Sequence, residues 1–245
     1  MPFFQILFKD PRLAAGACIC LLGGGGKTTL AYQLGRELSE FYEQVLITSL
    51  VKAGPSPEIP IQFIGPDTEI DLNPFFKYHN PAYLLKEKLT DQKFQGISVG
   101  QLNAFQPQVG LSIVECDGAR SRPLKAHNKR DIILPALATI AVILIGAEVI
   151  NSKIRDGHLH RAELFKQKWN LNDSAVLSID LITRLVTEKK GYLEKTPHTV
   201  EKIYFINKAE NYLQNSRNLA LSINRKTGSP VFYGSLHQGW WKTIA

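Results

Sequence analysis

Four consecutive glycines run directly into a lysine and two threonines: Gly23-Gly24-Gly25-Gly26-Lys27-Thr28-Thr29. The apolar run before them, Ala17-Cys18-Ile19-Cys20-Leu21-Leu22, has the composition of a buried strand. After them Leu30, Leu34, Leu38 and Phe41 recur at three- and four-residue steps, the spacing of one helix face. A strand-to-helix turn needs one or two glycines and has no use for Lys-Thr-Thr. A loop that wraps a phosphate needs both. Without Cβ atoms the backbone reaches φ > 0 and can aim several N–H groups at one anion. The following helix turns its positive end toward the same point. Lys27 adds a point charge for the outer phosphates, and the Thr28 hydroxyl is placed to ligate Mg²⁺. The usual spacing, G-x-x-x-x-G-K-[ST], wants glycine where this chain has Leu21, so the loop is either shorter or entered differently.

The 245 residues could form one large α/β domain or two small ones. The reading adopted is one nucleotide-binding domain over 1–245, with a long loop insertion around 53–81 rich in Pro, Gly and Asp. A net charge of +7 suits an acidic ligand such as a nucleotide. The basic residues are scattered (Lys86-Glu87-Lys88, Lys189-Lys190, Arg225-Lys226) and carry no interleaved aromatics, so no nucleic-acid partner is expected. The three cysteines, Cys18, Cys20 and Cys116, lie in apolar runs without C-x-x-C spacing. That argues for buried thiols in a reducing cytoplasm, not for disulfides or zinc. Residues 1–8 are apolar but lack a basic start, and Asp10-Pro11 interrupts them, unlike a signal peptide. The apolar stretch 132–150 contains Pro135 and Glu148, which favours a buried strand over a membrane span.

Strands are expected at 44–48, 61–64, 111–116, 139–145 and 202–206, with a last short one at 230–233. Helical patterns cover 82–93, two segments within 159–190, and 209–223. The second pattern in 159–190 includes Val176, Ile179, Leu181, Ile182, Leu185 and Val186. The 209–223 pattern turns Leu213, Leu219 and Ile223 inward. This alternation predicts an α/β, three-layer P-loop NTPase-like fold, with a mainly parallel central sheet and helices on both faces. Ligands of such a sheet sit at the carboxyl ends of the strands, where the glycine loop also falls.

Three further segments carry candidate chemistry. In Ile113-Val114-Glu115-Cys116-Asp117-Gly118-Ala119-Arg120 an apolar strand ends in two carboxylates spaced by two, hence on one strand face. Either could complete a Mg²⁺ shell with Thr28 and orient an attacking water, and both stand as candidates. Arg120, Arg122 and Lys125 follow at once and could hold an anionic substrate or a transferring phosphoryl group. In Ile203-Tyr204-Phe205-Ile206-Asn207-Lys208-Ala209-Glu210, a strand leads into Asn-Lys-x-Glu. Many GTPases carry Asn-Lys-x-Asp at such a place, so Asn207, Lys208 and Glu210 are candidate contacts to a base, with a polar helix cap as the plainer alternative. His158-Leu159-His160-Arg161-Ala162-Glu163 is a weak metal signal. His158 reads as a surface helix start, while His160 and Arg161 could face phosphates.

Taken together these segments resemble the YqeC-like family. The resemblance rests on Gly-Gly-Gly-Gly-Lys-Thr-Thr at 23–29, Glu115-x-Asp-Gly-Ala-Arg120, Arg122-Pro-Leu-Lys-Ala126 and His160-Arg161-x-Glu163. It continues through Gly191-Tyr-Leu-Glu-Lys-x-Pro197 and Asn207-Lys208. It departs at His127-Asn-Lys-Arg-Asp131, where the family often has Pro and then His-Glu-Pro, and at Glu210. A threonine-rich run after the second strand is reduced to Thr48-Ser49. The resemblance implies a P-loop nucleotide-binding accessory protein, linked to a selenium cofactor of molybdenum hydroxylases. It implies such a hydroxylase, or its cofactor-maturation proteins, as a partner.

The expected activity is a slow, Mg²⁺-dependent hydrolysis of ATP or GTP in the cytoplasm, with no membrane partner. Lys27, Glu115, Asp117 and Arg120 are the expected catalytic set. Gly23 to Thr29 with Asn207, Lys208 and Glu210 would hold the nucleotide. Thr28, Glu115 and Asp117 would hold the metal, and Arg122, Lys125, His160 and Arg161 would contact an anion. Two alternatives use the same loop: a small-molecule kinase with an anionic acceptor, and a binding module without turnover.

Overall fold

The structure is a computed structural model that describes residues 16–128, 131, 134–155 and 157–244. The apolar start at 1–8 lies outside them. The chain is α/β: a mainly parallel, nine-stranded main sheet with helices around it. It divides into two compact units.

The first unit holds the chain up to Leu21, Thr28–Gly118 and Leu134–Ile140. Its strands are β1 (Ala17–Gly23, but for its last two residues), β2 (Val45–Ser49), β3 (Ile61–Phe63), β4 (Ala82–Leu85) and β7 (Leu111–Glu115), in the order β1-β7-β2-β4-β3. All these neighbours run parallel. Strands covered on both faces read as unbroken apolar runs, and β1 and β2 are buried along their whole length. Helix α1 (Lys27–Leu38) follows the glycines and buries Leu30, Leu34 and Leu38. Phe41, expected on that face, lies past the helix end and is exposed. The expected loop 53–81 contains β3, as read, and also a short helix α2 (Asn73–Tyr78) that opens on Asn73-Pro74.

The helix expected at 82–93 is absent. That stretch forms β4 and then an antiparallel hairpin of β5 (Glu87–Thr90) and β6 (Lys93–Gln95). Leu-Leu-Lys-Glu-Lys-Leu favours helix locally, but Ala82, Tyr83, Leu84 and Leu85 are all buried. Four buried residues in a row fit a strand between β2 and β3, and tertiary pairing overrides propensity. Helix α3 (Val99–Phe105) was not expected, although Ser98 and Gln101 form a reciprocal capping box at its start.

The second unit holds Leu22–Lys27, Ala119–Ile133 and Ala141–Ala245. Its strands in the main sheet are β9 (Ile140–Gly146, but for its first residue), β11 (Glu201–Asn207), β12 (Val231–Ser235) and β13 (Trp240–Ile244). β11 and β12 are parallel, and β13 closes antiparallel on β12. The strand expected at 230–233 is thus not the last: its antiparallel partner follows a tight turn. A two-stranded parallel pair joins β8 (Leu124–Lys125) to β10 (Leu159–His160). Helices α4 (Ala162–Trp169) and α5 (Ile179–Thr187) are the two patterns expected within 159–190. Val176 falls before α5 and is exposed, because the Ser178 side chain caps the helix by accepting from Leu181 N. Leu181, Ile182, Leu185 and Val186 form its buried face, each contributing about 1.5–3 kcal/mol. Helix α6 (Leu213–Thr227) begins four residues later than expected, after a 3₁₀ turn at Ala209–Asn211, which leaves Leu213 exposed at its first position.

Candidate functional site

The chain leaves β1 at Gly23, and α1 begins at Lys27, so the loop between them is shorter than the usual spacing. Leu21 is buried in β1 opposite Glu115, which is why no glycine stands there. Gly25 shows what the loop demands. Its φ is +84°, and a Cβ there would come within 2.5 Å of Gly146 N. Gly23 and Gly26 also have positive φ. The loop is pinned to its own unit by Gly24 N donating to Leu144 O at 3.1 Å and Gly25 N donating to Arg122 O at 3.2 Å. The buried Lys27 side chain curls back, its Nζ donating to Gly23 O.

Asn207, at the end of β11, bridges this loop. Its Nδ2 donates to Gly25 O at 2.7 Å, and its Oδ1 accepts from Leu236 N at 3.0 Å. Lys208 has left-handed backbone (φ 62°) and pairs with Glu148. Glu210 sits in the 3₁₀ turn, half-buried. The sequence offered Asn207 as a base contact. The bracket it forms on the loop carried no sequence signal.

In the first unit, the Thr28 hydroxyl donates to Glu115 Oε1 at 2.6 Å. A hydroxyl and a carboxylate in contact are the oxygen donors a hard cation takes. Asp117 lies just past the end of β7 and is buried, so the two carboxylates are not equivalent: Glu115 is half-buried and Asp117 almost wholly enclosed. The phenols of Tyr32 and Tyr83 meet edge to face, their ring centroids 5.9 Å apart. Burial pushes both phenols up, and the Glu115 carboxylate adds to the rise. Thr29 is exposed on α1. Among the described residues no group of three or more His, Cys, Asp and Glu could hold a metal without other ligands. The thiols of Cys18, Cys20 and Cys116 are free and buried.

The cations divide into two sets within the second unit. Arg120, Arg122, His160 and Arg161 line one cavity of about 320 Å³. Lys125 does not join them. It is buried, with its Nζ 2.9 Å from Asp131 Oδ1. Arg161 also pairs with Asp131, and Lys195 donates to the Asp131 carbonyl at 2.8 Å. Asp131 therefore braces the segment, a role its sequence position did not announce. His158 precedes β10 in a turn, with its Nδ1 3.2 Å from Lys153 O, and does not start a helix.

With this geometry, the sequence model of one family, YqeC (YqeC protein), matches residues 19–163. The chain is also similar to the Escherichia coli (strain K12) protein named "Uncharacterized protein YqeC". The two are 25% identical over 198 residues, covering 78% of this chain and 75% of that one.

Proposed function

The chain belongs to the YqeC family, and we propose that it is a P-loop protein that binds ATP or GTP with Mg²⁺ and hydrolyses it slowly. The observation that carries this reading is the loop Gly23–Gly26. It has positive φ at three of its glycines, and its amides run into the first turn of α1 at Lys27. Gly24 N and Gly25 N are held by Leu144 O and Arg122 O, so the donors for a phosphate chain would be the amides from Gly26 into the first turn of α1, at the helix N-terminus.

Lys27 would exchange the Gly23 carbonyl for an outer phosphate. Thr28 and Glu115, already in contact, would hold Mg²⁺, with Asp117 as the inner acid behind them. Bound Mg²⁺ would neutralise charge between the outer phosphates. Glu115 or Asp117 would orient a water whose attack gives a nucleoside diphosphate and inorganic phosphate. The resemblance to the YqeC-like family is what supports maturation of a selenium-dependent molybdenum hydroxylase as the setting for this activity.

The test is a thermal-shift panel of ATP, GTP and their diphosphates with and without Mg²⁺, on the native chain, Lys27→Ala and Thr28→Val. Ligand at a hundred times Kd should stabilise by about 2.7 kcal/mol, or about 5–11 °C in a chain of this size. Lys27→Ala should abolish the shift, and Thr28→Val its Mg²⁺ dependence. No shift with either nucleotide sinks the reading.

A second reading, phosphoryl transfer to an anionic acceptor, is favoured by the cationic cavity of Arg120, Arg122, His160 and Arg161. It predicts a phosphorylated small-molecule product by mass spectrometry.

A further inference from the structure

Three observations meet at the cavity of the second unit. The first is charge. Arg120 and Arg122 are exposed, and neither side chain has a hydrogen-bond or ion-pair partner among the described residues. Arg161 and His160 line the same space, and Asp131, the carboxylate paired with Arg161, is shared with buried Lys125. The local balance is therefore positive.

The second is strain. Arg120, Ser121 and Arg161 have left-handed backbone, at φ 50°, 57° and 65°. Non-glycine residues resist that region. Such outliers persist where the surroundings impose them, and they cluster at ligand clamps. Here the strain turns residues of two separate chain segments onto one cavity.

The third is linkage to the glycine loop. The Arg122 carbonyl accepts from Gly25 N at 3.2 Å. It also occupies the place a Gly24 Cβ would need. The backbone that aims Arg122 is thus the backbone that supports the loop.

We propose that this cavity is a second anion site, binding a small molecule through a phosphate group and coupled to the glycine loop through the Arg122 carbonyl. At about 320 Å³ the cavity lies at the low end of ligand sites, which run from about 300 to 1,000 Å³. It suits a small phosphorylated compound or phosphate itself, not a whole nucleotide. Guanidinium groups match phosphate oxygens two at a time, and Arg120 and Arg122, without partners among the described residues, line the cavity beside the Asp131-paired Arg161. That this ligand is an acceptor or product of nucleotide chemistry rests on the reading above; its binding does not.

The experiment titrates inorganic phosphate, and in parallel glycerol 3-phosphate, into the full chain by isothermal calorimetry. Lys27→Ala removes the loop's lysine, and the Arg120→Gln/Arg122→Gln pair alters exposed side chains with no partner among the described residues. The site predicts that one of the two probes binds Lys27→Ala within threefold of the native affinity. It also predicts at least a tenfold loss in the double arginine variant, whose melting temperature stays at the native value. The tighter probe tells free phosphate from a phosphate ester. Loss of all binding in Lys27→Ala, or native affinity in the arginine variant, overturns the site while leaving the nucleotide reading standing. Phosphate binding that survives Lys27→Ala in a chain that ignores ATP and GTP supports the site and refutes the nucleotide reading.

Discussion

Replacing Asn207 by alanine tests whether this side chain is a bracket for the glycine loop. It is 5% exposed and makes two hydrogen bonds, Nδ2 to Gly25 O at 2.7 Å and Oδ1 from Leu236 N at 3.0 Å. Alanine leaves a carbonyl and an amide without their partners. A buried group stripped of its partner costs about 1–3 kcal/mol. Leu236 N lies in buried surroundings and should cost the full amount, whereas Gly25 is half-buried and water can reach its carbonyl. The sum is about 2–4 kcal/mol, which lowers Tm by about 4–16 °C in a chain of this size. Asn207→Asp separates the two bonds. It keeps an acceptor for Leu236 N but sets a carboxylate against the Gly25 carbonyl. Its deficit should match or exceed that of alanine at pH 7 and shrink in acid, where a protonated carboxyl can donate again. Differential scanning calorimetry across pH measures both. The bracket argument is wrong if Asn207→Ala melts within about 1 °C of the native chain, because that is less than half a kcal/mol. An unchanged Tm with an altered preference between ATP and GTP would instead return Asn207 to the base.

Two further outcomes follow from titratable groups. Burial raises the Cys116 thiol, and thiol hydrogen bonding together with burial raises Cys18 and Cys20, so none should ionise in the native chain at pH 8. A chromogenic disulfide reagent should find no thiol within minutes natively and all three in guanidinium; fast native reaction would refute their enclosure. Lys226, 2.6 Å away, and Arg184 hold the Glu188 carboxyl below its usual range. A depressed carboxyl stabilises the fold above its unfolded pKa and loses that contribution as pH falls through its folded pKa. With both partners partly exposed, the gain is about 0.2–1 kcal/mol. Urea unfolding should show Glu188→Gln weaker than the native chain at pH 7 and equal to it near pH 2.

What was legible in the sequence was what local chemistry writes down. β1, β2, β7, β9 and β11 are runs of apolar residues with no competing pattern, and their ends fall within a residue or two of those the sequence predicts. The stretch 82–93 reads as helix, but its helix-forming residues are overruled by β2 and β3 on either side of β4, and no residue of 82–93 records those neighbours. α3 was legible in principle, since Ser98 and Gln101 spell a capping box. Of the candidate site, Thr28 with Glu115 and Arg120 with Arg122 were readable as neighbours of a motif. Asp131 was not: its hold on Lys125 and Arg161 joins residues 6 and 30 positions away, and nothing in a lone aspartate announces that.

The glycines themselves carry two requirements that the sequence merges into one. Positive φ accounts for Gly23, Gly25 and Gly26, and Gly23 and Gly25 are also closely approached, by the Leu144 carbonyl and by Gly146 N. Gly24 has no such conformation, yet a Cβ there would overlap the Arg122 carbonyl and come within 2.9 Å of the Pro123 backbone. Its glycine is demanded by close approach of two chain segments. A glycine substitution in this loop would therefore damage packing and any phosphate site together, and loss of ligand binding in such a variant would say nothing about which had failed. Lys27 and Thr28 separate the two, because substituting them leaves every glycine of the loop in place. Lys27→Ala removes the hydrogen bond to the buried Gly23 carbonyl, at a cost of about 1–3 kcal/mol, and Thr28→Val removes the one to Glu115. A ligand-dependent melting shift lost in these two variants, each measured against its own ligand-free melting temperature, distinguishes a phosphate loop from a glycine-rich packing joint.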